Sequence, residues 1–187
     1  MNNYFPCRTI YTINPQLPQL ILNEMLKQCK DLTYMASLTE GHDTPEKSRS
    51  SQQCWLPWDH WIAGILHNIM ISANNDYFHY DLDHFDSAIQ VTKYEPGQNY
   101  EWHVDQLNID KPMKRKLSIS LLLNDDFTGG ELELLDPTSL RAEKITSVPL
   151  SAGSIAVFPA WVVHRVKPVV NGTRYSLVAW MNGPQFK

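Results

Sequence analysis

Arg174-Tyr-Ser-Leu-Val-Ala-Trp-Met181 alternates strictly: Arg174, Ser176, Val178 and Trp180 fall on one side of an extended chain, and Tyr175, Leu177, Ala179 and Met181 on the other. Period two marks a β-strand, because successive side chains of a strand point to opposite faces. Short β-rich segments of the same kind precede it at residues 89–94, 117–124, 131–135, 154–158 and 162–170. Between them stand the turn pairs Pro96-Gly97, Asn124-Asp125, Gly129-Gly130, Ala152-Gly153 and Asn171-Gly172. Many short strands with turns at this spacing predict a sandwich or barrel, not alternating β-α units.

Upstream of about residue 87 the period becomes helical. Asn14-Pro15 reads as a cap followed by proline in the first turn, and Leu17, Leu20, Ile21, Met25, Cys29 and Leu32 then recur at helical spacing. Ile62, Ile65, Leu66, Ile69 and Ala73 write a second helix, entered through the aromatic stretch from Trp55 to Trp61. Residues 40–53 carry almost no apolar side chain and predict an exposed loop too short to divide two domains. The chain is therefore expected to be one domain over residues 1–187, mainly β with N-terminal helices (α+β), in which 1–86 supply helical support and 87–182 the β core.

Composition narrows the function. With 187 residues and 43% hydrophobic side chains, the chain can bury roughly 70% of its unfolded surface, which excludes intrinsic disorder. Its apolar runs fall far short of the roughly 20 residues of a membrane span, and the first residues lack the basic start and apolar stretch of a secretory signal. Cys7, Cys29 and Cys54 are an odd number without metal-ligand spacing, which suits reduced thiols and a cytoplasmic location. The formal charge of -4 argues against a nucleic-acid partner, although Lys111, Lys114, Arg115 and Lys116 form a local basic cluster that reads as a solvated loop and strand start and offers steering of an acidic ligand.

A mononuclear non-haem iron site needs two imidazoles and one carboxylate on one face of the metal. His-x-Asp on a strand supplies two of the three, since residues i and i+2 share a side. Chance alone gives about 0.75 occurrences of His-x-acid at this composition, and the sequence has three, beginning at His79, His84 and His103. Context separates them. His103-Val-Asp105 follows a β-rich segment ending in Tyr94-Glu-Pro-Gly97 and precedes a long strand, a Gly-Gly turn, the lone histidine His164 and, ten residues on, Arg174. The other two sit in an acidic, aromatic stretch and read as surface polar residues.

Arg174 and Ser176 share the face of the last strand that would look into a β interior. A buried guanidinium needs an anion, and no carboxylate on that strand supplies one. A dicarboxylate cosubstrate would, its far carboxylate on Arg174 and Ser176 and its 2-oxo acid end on the metal. A two-residue hairpin at Asn171-Gly172 would place Arg174 opposite Val169, roughly 16 Å along the strand from His164. One small molecule cannot span that, so the chain is expected to cross between two facing sheets after His164, as in a jelly roll.

Tyr94-x-x-Gly97-Gln98-x-Tyr100-x-x-His103-x-Asp105, Arg115-x-x-Ser118, Leu123-Asn124, Gly129-Gly130-Glu131-Leu132, Gly153, Phe158-Pro159, His164-Arg165-Val166 and Gly172-x-Arg174-Tyr175-Ser176 with Trp180 together resemble the 2-oxoglutarate- and Fe(II)-dependent dioxygenases of the prolyl 4-hydroxylase type, over about residues 88–182. The resemblance implies a double-stranded β-helix supported by two or more helices. It implies iron on His103, Asp105 and His164, the C5 carboxylate of 2-oxoglutarate on Arg174, Tyr94 close to the cosubstrate, and Tyr100, Arg115 and Trp180 on the substrate side. Leu122 stands where some relatives carry a tyrosine that also binds the C5 carboxylate, which leaves Ser176 as the second partner. The implied reaction couples decarboxylation of 2-oxoglutarate by O2 to hydroxylation of an unactivated C–H bond, with ascorbate stimulatory. The expected substrate is a prolyl residue of a protein or peptide; a free amino acid or other small molecule, or a jelly-roll binding module without turnover, are the alternatives.

Overall fold

The computed structural model describes residues 10–13, 17–37, 49–86, 88–106, 113–136 and 144–185. In chain order come β1 (Tyr11–Ile13), α1 (Gln19–Lys30), β2 (Met35–Ala36), β3 (Gln52–Pro57) and α2 (Trp61–Ala73), which runs on into a π-helical turn over Asn74–Phe78. Then follow β4 (His84–Phe85), β5 (Ala88–Tyr94), β6 (Tyr100–His103), β7 (Met113–Leu122), β8 (Thr128–Gly129) and β9 (Leu132–Asp136). The last are β10 (Lys144–Ser147), β11 (Ile155–Pro159), β12 (His164–Val166), β13 (Val169–Asn171) and β14 (Arg174–Pro184).

The alternation of β14 divides two environments. In the large sheet, ordered β1-β11-β7-β14-β5-β3-β2, Leu177 lies between Leu121 and Val91, and Ala179 lies beside Ile119. This face packs on the helices: Leu22, Met25 and Cys29 of α1 and Ile62, Leu66 and Met70 of α2 join the same cluster. The opposite face carries Ser176 between Leu122 and Thr92, Trp180 beside Ser118, and Arg174 beside Tyr94. It looks toward the second sheet, β10-β9-β12-β6, across an apolar cluster that includes Leu134, Phe158, Val162 and Val166. Two facing sheets with helices on the outer side form the expected jelly roll.

Several expectations are corrected. The first helix begins at Gln19 after Pro18, and its buried seam is Leu22, Met25 and Cys29, so Leu20 points to solvent; Asn14-Pro15 lies outside the described residues, as do Cys7 and Lys111. The polar segment 40–53, described only from residue 49, is not an exposed loop there, because Arg49 and Ser51 are buried and Gln52 and Gln53 open β3. Residues before 87 thus give β1 to β4 to the large sheet, which an account of them as helices and loop omits. The run 162–170 divides into β12 and β13 in different sheets, broken at Lys167-Pro168, where proline has no N–H for a ladder. Lys114 and Lys116 are buried, not solvated, and Arg115 pairs with Asp86 at 3.2 Å.

Each fully buried leucine contributes roughly 2 kcal/mol. Leu177→Ala is therefore expected to lower the unfolding free energy in urea by about 3 kcal/mol, and Leu20→Ala, at 78% exposure, by less than about 0.5 kcal/mol. Equal losses would contradict this division of the core.

Candidate active site

His103 and His164 are register partners on the neighbouring strands β6 and β12, with ring centroids 4.1 Å apart. Asp105 lies just past the end of β6, in a turn held by bonds from the N–H of Asp105 and of Gln106 to the Ala160 carbonyl, both 2.9 Å. The shared orientation thus comes from a pinned turn and not from an uninterrupted strand. His103 Nε2 stands 3.8 Å from Asp105 Oδ1, and His164 Nε2 stands 3.6 Å from Oδ2. The ligating atoms of all three residues lie within 4.8 Å of one another, and no other such group occurs among the described residues. His79 and His84 are exposed, and Asp86 is the partner of Arg115.

Backbone carbonyls set the tautomers. His103 Nδ1 is 2.7 Å from the Glu101 carbonyl and His164 Nδ1 is 2.9 Å from the Val162 carbonyl. A carbonyl only accepts, so each Nδ1 carries the proton and each Nε2 turns a lone pair toward Asp105. Burial, followed by the neighbouring His164, pushes the pKa of His103 down to about 3, which keeps that imidazole neutral. Burial opposes ionisation of Asp105, but His164, His103 and the Ser118 hydroxyl, which donates at 2.7 Å, together hold its pKa below the ordinary carboxylate value. A neutral imidazole at His103 beside an ionised Asp105 suits a divalent ion, which binds the unprotonated form of each ligand.

Arg174 is 2% exposed and lines a cavity with Leu122, Leu132, Val148, Ser120 and Ser154. Its Nη1 donates to Ser176 Oγ at 2.7 Å, while its Nε and the Ser154 hydroxyl have no hydrogen-bond partner among the described residues. The Tyr94 ring centroid lies 5.4 Å from the guanidinium. Gly130, at φ +67°, leaves room for this side chain: a Cβ there would stand 3.1 Å from Arg174 Cδ. Because β12 and β14 belong to different sheets, the chain crosses over between His164 and Arg174, which removes the separation a simple hairpin would impose.

Tyr100 stacks on His103 with centroids 3.5 Å apart and planes 14° from parallel. Arg115 lies 3.8 Å over the Trp180 ring, whose other neighbour is Trp55 at 6.2 Å. Two residues of this region escaped the sequence reading. By its sequence Trp55 belongs only to the approach to α2, and Arg49, whose guanidinium lies 4.5 Å over the Tyr100 ring, lies in the segment with the composition of an exposed loop. The signal available for β3 was the apolar alternation of Cys54 and Leu56, buried between exposed Trp55 and Pro57.

The family model described as the 2OG-Fe(II) oxygenase superfamily matches residues 89–182, which hold the triad, Arg174 and Ser176. The chain belongs to this superfamily. A PKHD-type hydroxylase of Synechococcus sp. (strain JA-2-3B'a(2-13)) is 35% identical over 99 residues, which cover 50% of this chain and 42% of the relative, so the match spans less than half the length of that protein. Among solved structures, a Pseudomonas putida prolyl-4-hydroxylase superposes with a TM-score of 0.75 at 21% identity, covering 95% of this chain and 94% of the other. A Trichoplax adhaerens prolyl hydroxylase in complex with a hypoxia inducible factor oxygen degradation domain peptide fragment gives 0.77 at 18% identity, covering 92% and 83%. Both show the double-stranded β-helix fold. No described helix is long and apolar enough to cross a membrane.

The residues present fit the groups that a 2OG-Fe(II) oxygenase uses. The nitrogen and oxygen donors of His103, Asp105 and His164 suit Fe(II), and the unmet Arg174 Nε and Ser154 hydroxyl suit a carboxylate entering the cavity. His103→Ala and Asp105→Ala are expected to weaken Co(II) binding, followed by its visible absorption, by at least about 100-fold. Ser118→Ala, which removes a partner of Asp105, is expected to weaken it about tenfold. Undiminished Co(II) affinity in the histidine and aspartate variants would refute the assignment.

Proposed function

We propose that this chain is a 2-oxoglutarate- and Fe(II)-dependent dioxygenase that hydroxylates a prolyl residue of a peptide or protein. The observation that carries the proposal is the buried Arg174 guanidinium, unpaired by any carboxylate among the described residues, in a cavity of the same β interior as the His103, Asp105 and His164 cluster. When bound, iron with 2-oxoglutarate and O2 supplies oxidative decarboxylation to succinate and CO2 and delivers one oxygen atom to a C–H bond.

The chain's own residues bind, orient and exclude water. His103 and His164 present fixed Nε2 lone pairs, and Asp105, steadied by Ser118, presents its carboxylate. Arg174 takes the far carboxylate of the cosubstrate. Ser176 holds Nη1 by accepting its hydrogen bond, which leaves the serine hydroxyl hydrogen to donate to the same carboxylate. Leu122, Leu132 and Val148 give the cavity apolar walls, where an ion pair is stronger than in water. Tyr94 stands beside this end, and Tyr100, Arg115 and Trp180 line the substrate side. The likeness to prolyl hydroxylase structures, one of them in complex with a peptide, supports a prolyl substrate in a peptide. The free thiols of buried Cys29 and Cys54 support a reducing, cytoplasmic setting.

Mass spectrometry after aerobic incubation with Fe(II), ascorbate, 2-oxoglutarate and a panel of proline-containing peptides is expected to show one succinate per oxygen added to proline. Succinate with no modified peptide would overturn the prolyl substrate, and neither product in iron-loaded protein would overturn the dioxygenase. Arg174→Ala is expected to raise the 2-oxoglutarate concentration at half-maximal rate by at least about tenfold, the scale of a hydrogen bond between charged groups. Gly130→Ala, which crowds Arg174, is expected to move it in the same direction with Co(II) affinity unchanged. An unaltered 2-oxoglutarate requirement in Arg174→Ala would contradict the role given to that residue.

A further inference from the structure

Arg49 is a second buried guanidinium that the described residues leave unneutralised. It is 6% exposed, and its Nε donates to Ser51 Oγ at 2.9 Å. Its Nη2 has no hydrogen-bond partner among the described residues. The face of Tyr100, 4.5 Å from the guanidinium carbon, offers only a partial cation–π compensation. Tyr100 in turn stacks on His103, so the guanidinium lies no more than about 8 Å from that imidazole. None of these residues lines the cavity of Arg174.

A second unmet group stands close by in the chain. Gln53 lies opposite Thr92 in the register, and Thr92 lies opposite Ser176, so Gln53 is on the inner face of the large sheet. Its Oε1 is buried and accepts no hydrogen bond among the described residues. An unmade donor pair on a cation and an unmade amide acceptor match a peptide that carries a carboxylate as well as backbone N–H groups. A neutral peptide would supply no counter-ion for Arg49, whose Nη2 has no partner among the described residues.

We propose that Arg49 is a carboxylate-binding subsite for the substrate, so that the favoured peptide bears a carboxylate one or two residues from the proline that is hydroxylated, with Gln53 accepting an N–H of the same segment. This rests on the reading of the chain as a peptide hydroxylase. The reach follows from the short Arg49-Tyr100-His103 stack, since an extended residue spans about 3.3 Å.

The test compares acetyl-Gly-Pro-Asp-Gly-amide with its Asn counterpart, and acetyl-Gly-Pro-Gly carrying a free C-terminal carboxylate with its amide. Hydroxylation is read with the Fe(II) enzyme, and binding by broadening of peptide proton resonances on the Mn(II) protein with 2-oxoglutarate. The acidic member of a pair is expected to have a kcat/KM about tenfold higher than the neutral one, through KM, and the ratio is expected to fall toward one in Arg49→Gln and to survive in part in Arg49→Lys. Whichever pair shows the preference identifies a side-chain or a terminal carboxylate as its source. Equal use of acidic and neutral peptides by the unaltered protein, or an Arg49→Gln variant that slows both and keeps their ratio, would overturn the subsite. Carboxylate-selective binding to the Mn(II) protein without hydroxylation would support the subsite while refuting the prolyl reading.

Discussion

A cation without water around it must find an anion, and Arg174 has been placed where the fold offers none among its described residues. Its strand alternates between two environments, and the same alternation that sends Leu177 and Ala179 into the helix-backed core sends Arg174 and Ser176 inward toward the second sheet. Moving the arginine by one residue would place its charge against the apolar cluster of α1 and α2. The register of β14 with β5 and β7 therefore fixes both the core and the polar interior.

The cluster of His103, Asp105 and His164 depends on a different pairing. His103 and His164 oppose each other because β6 and β12 are neighbours in the small sheet, and Asp105 turns back on them because the Ala160 carbonyl takes two N–H groups of its loop. Each histidine is oriented by a carbonyl two residues before it in the chain, Glu101 and Val162. The orientation of both histidines is thus set by main-chain atoms of the framework, while the Ser118 hydroxyl and the Phe158 ring reach in from the large sheet. The two sheets contribute separate parts of the proposed site: the small sheet and its loop carry His103, Asp105 and His164, and the large sheet carries Arg174.

Much of this was legible in the sequence wherever hydrophobic period and local chemistry agreed. The strands around residues 89–94, 131–135, 154–158 and 174–180 and the helix at residues 61–73 are found where the periodicity placed them, and the crossing after His164 followed from the distance a small dicarboxylate can span. Polar composition misleads where polar side chains are themselves buried. Arg49 and Ser51 and the start of β3 have the composition of an exposed loop, yet Arg49 bridges to Tyr100 of β6 and is covered by its ring, Ser51 is buried against Ser37, and Gln52 and Gln53 pair with β5. Lys114 and Lys116 also have the composition of a solvated strand start and are buried, Lys116 next to Asp81 and Gly183. The break between β12 and β13 was hidden by valines on both sides of Lys167-Pro168, and only the change of sheet exposes it.

The central claim is that the triad and the Arg174 cavity are one site, occupied by one molecule that touches both. Anaerobic titration of the Fe(II)-loaded protein with 2-oxoglutarate tests it directly through the visible charge-transfer band that appears when a 2-oxo acid chelates Fe(II). The account predicts a saturable band with one equivalent of 2-oxoglutarate, and a much weaker response to pyruvate, which has the chelating end but no second carboxylate for Arg174. A band of equal affinity with pyruvate, or none with either acid in protein that holds iron, would contradict it.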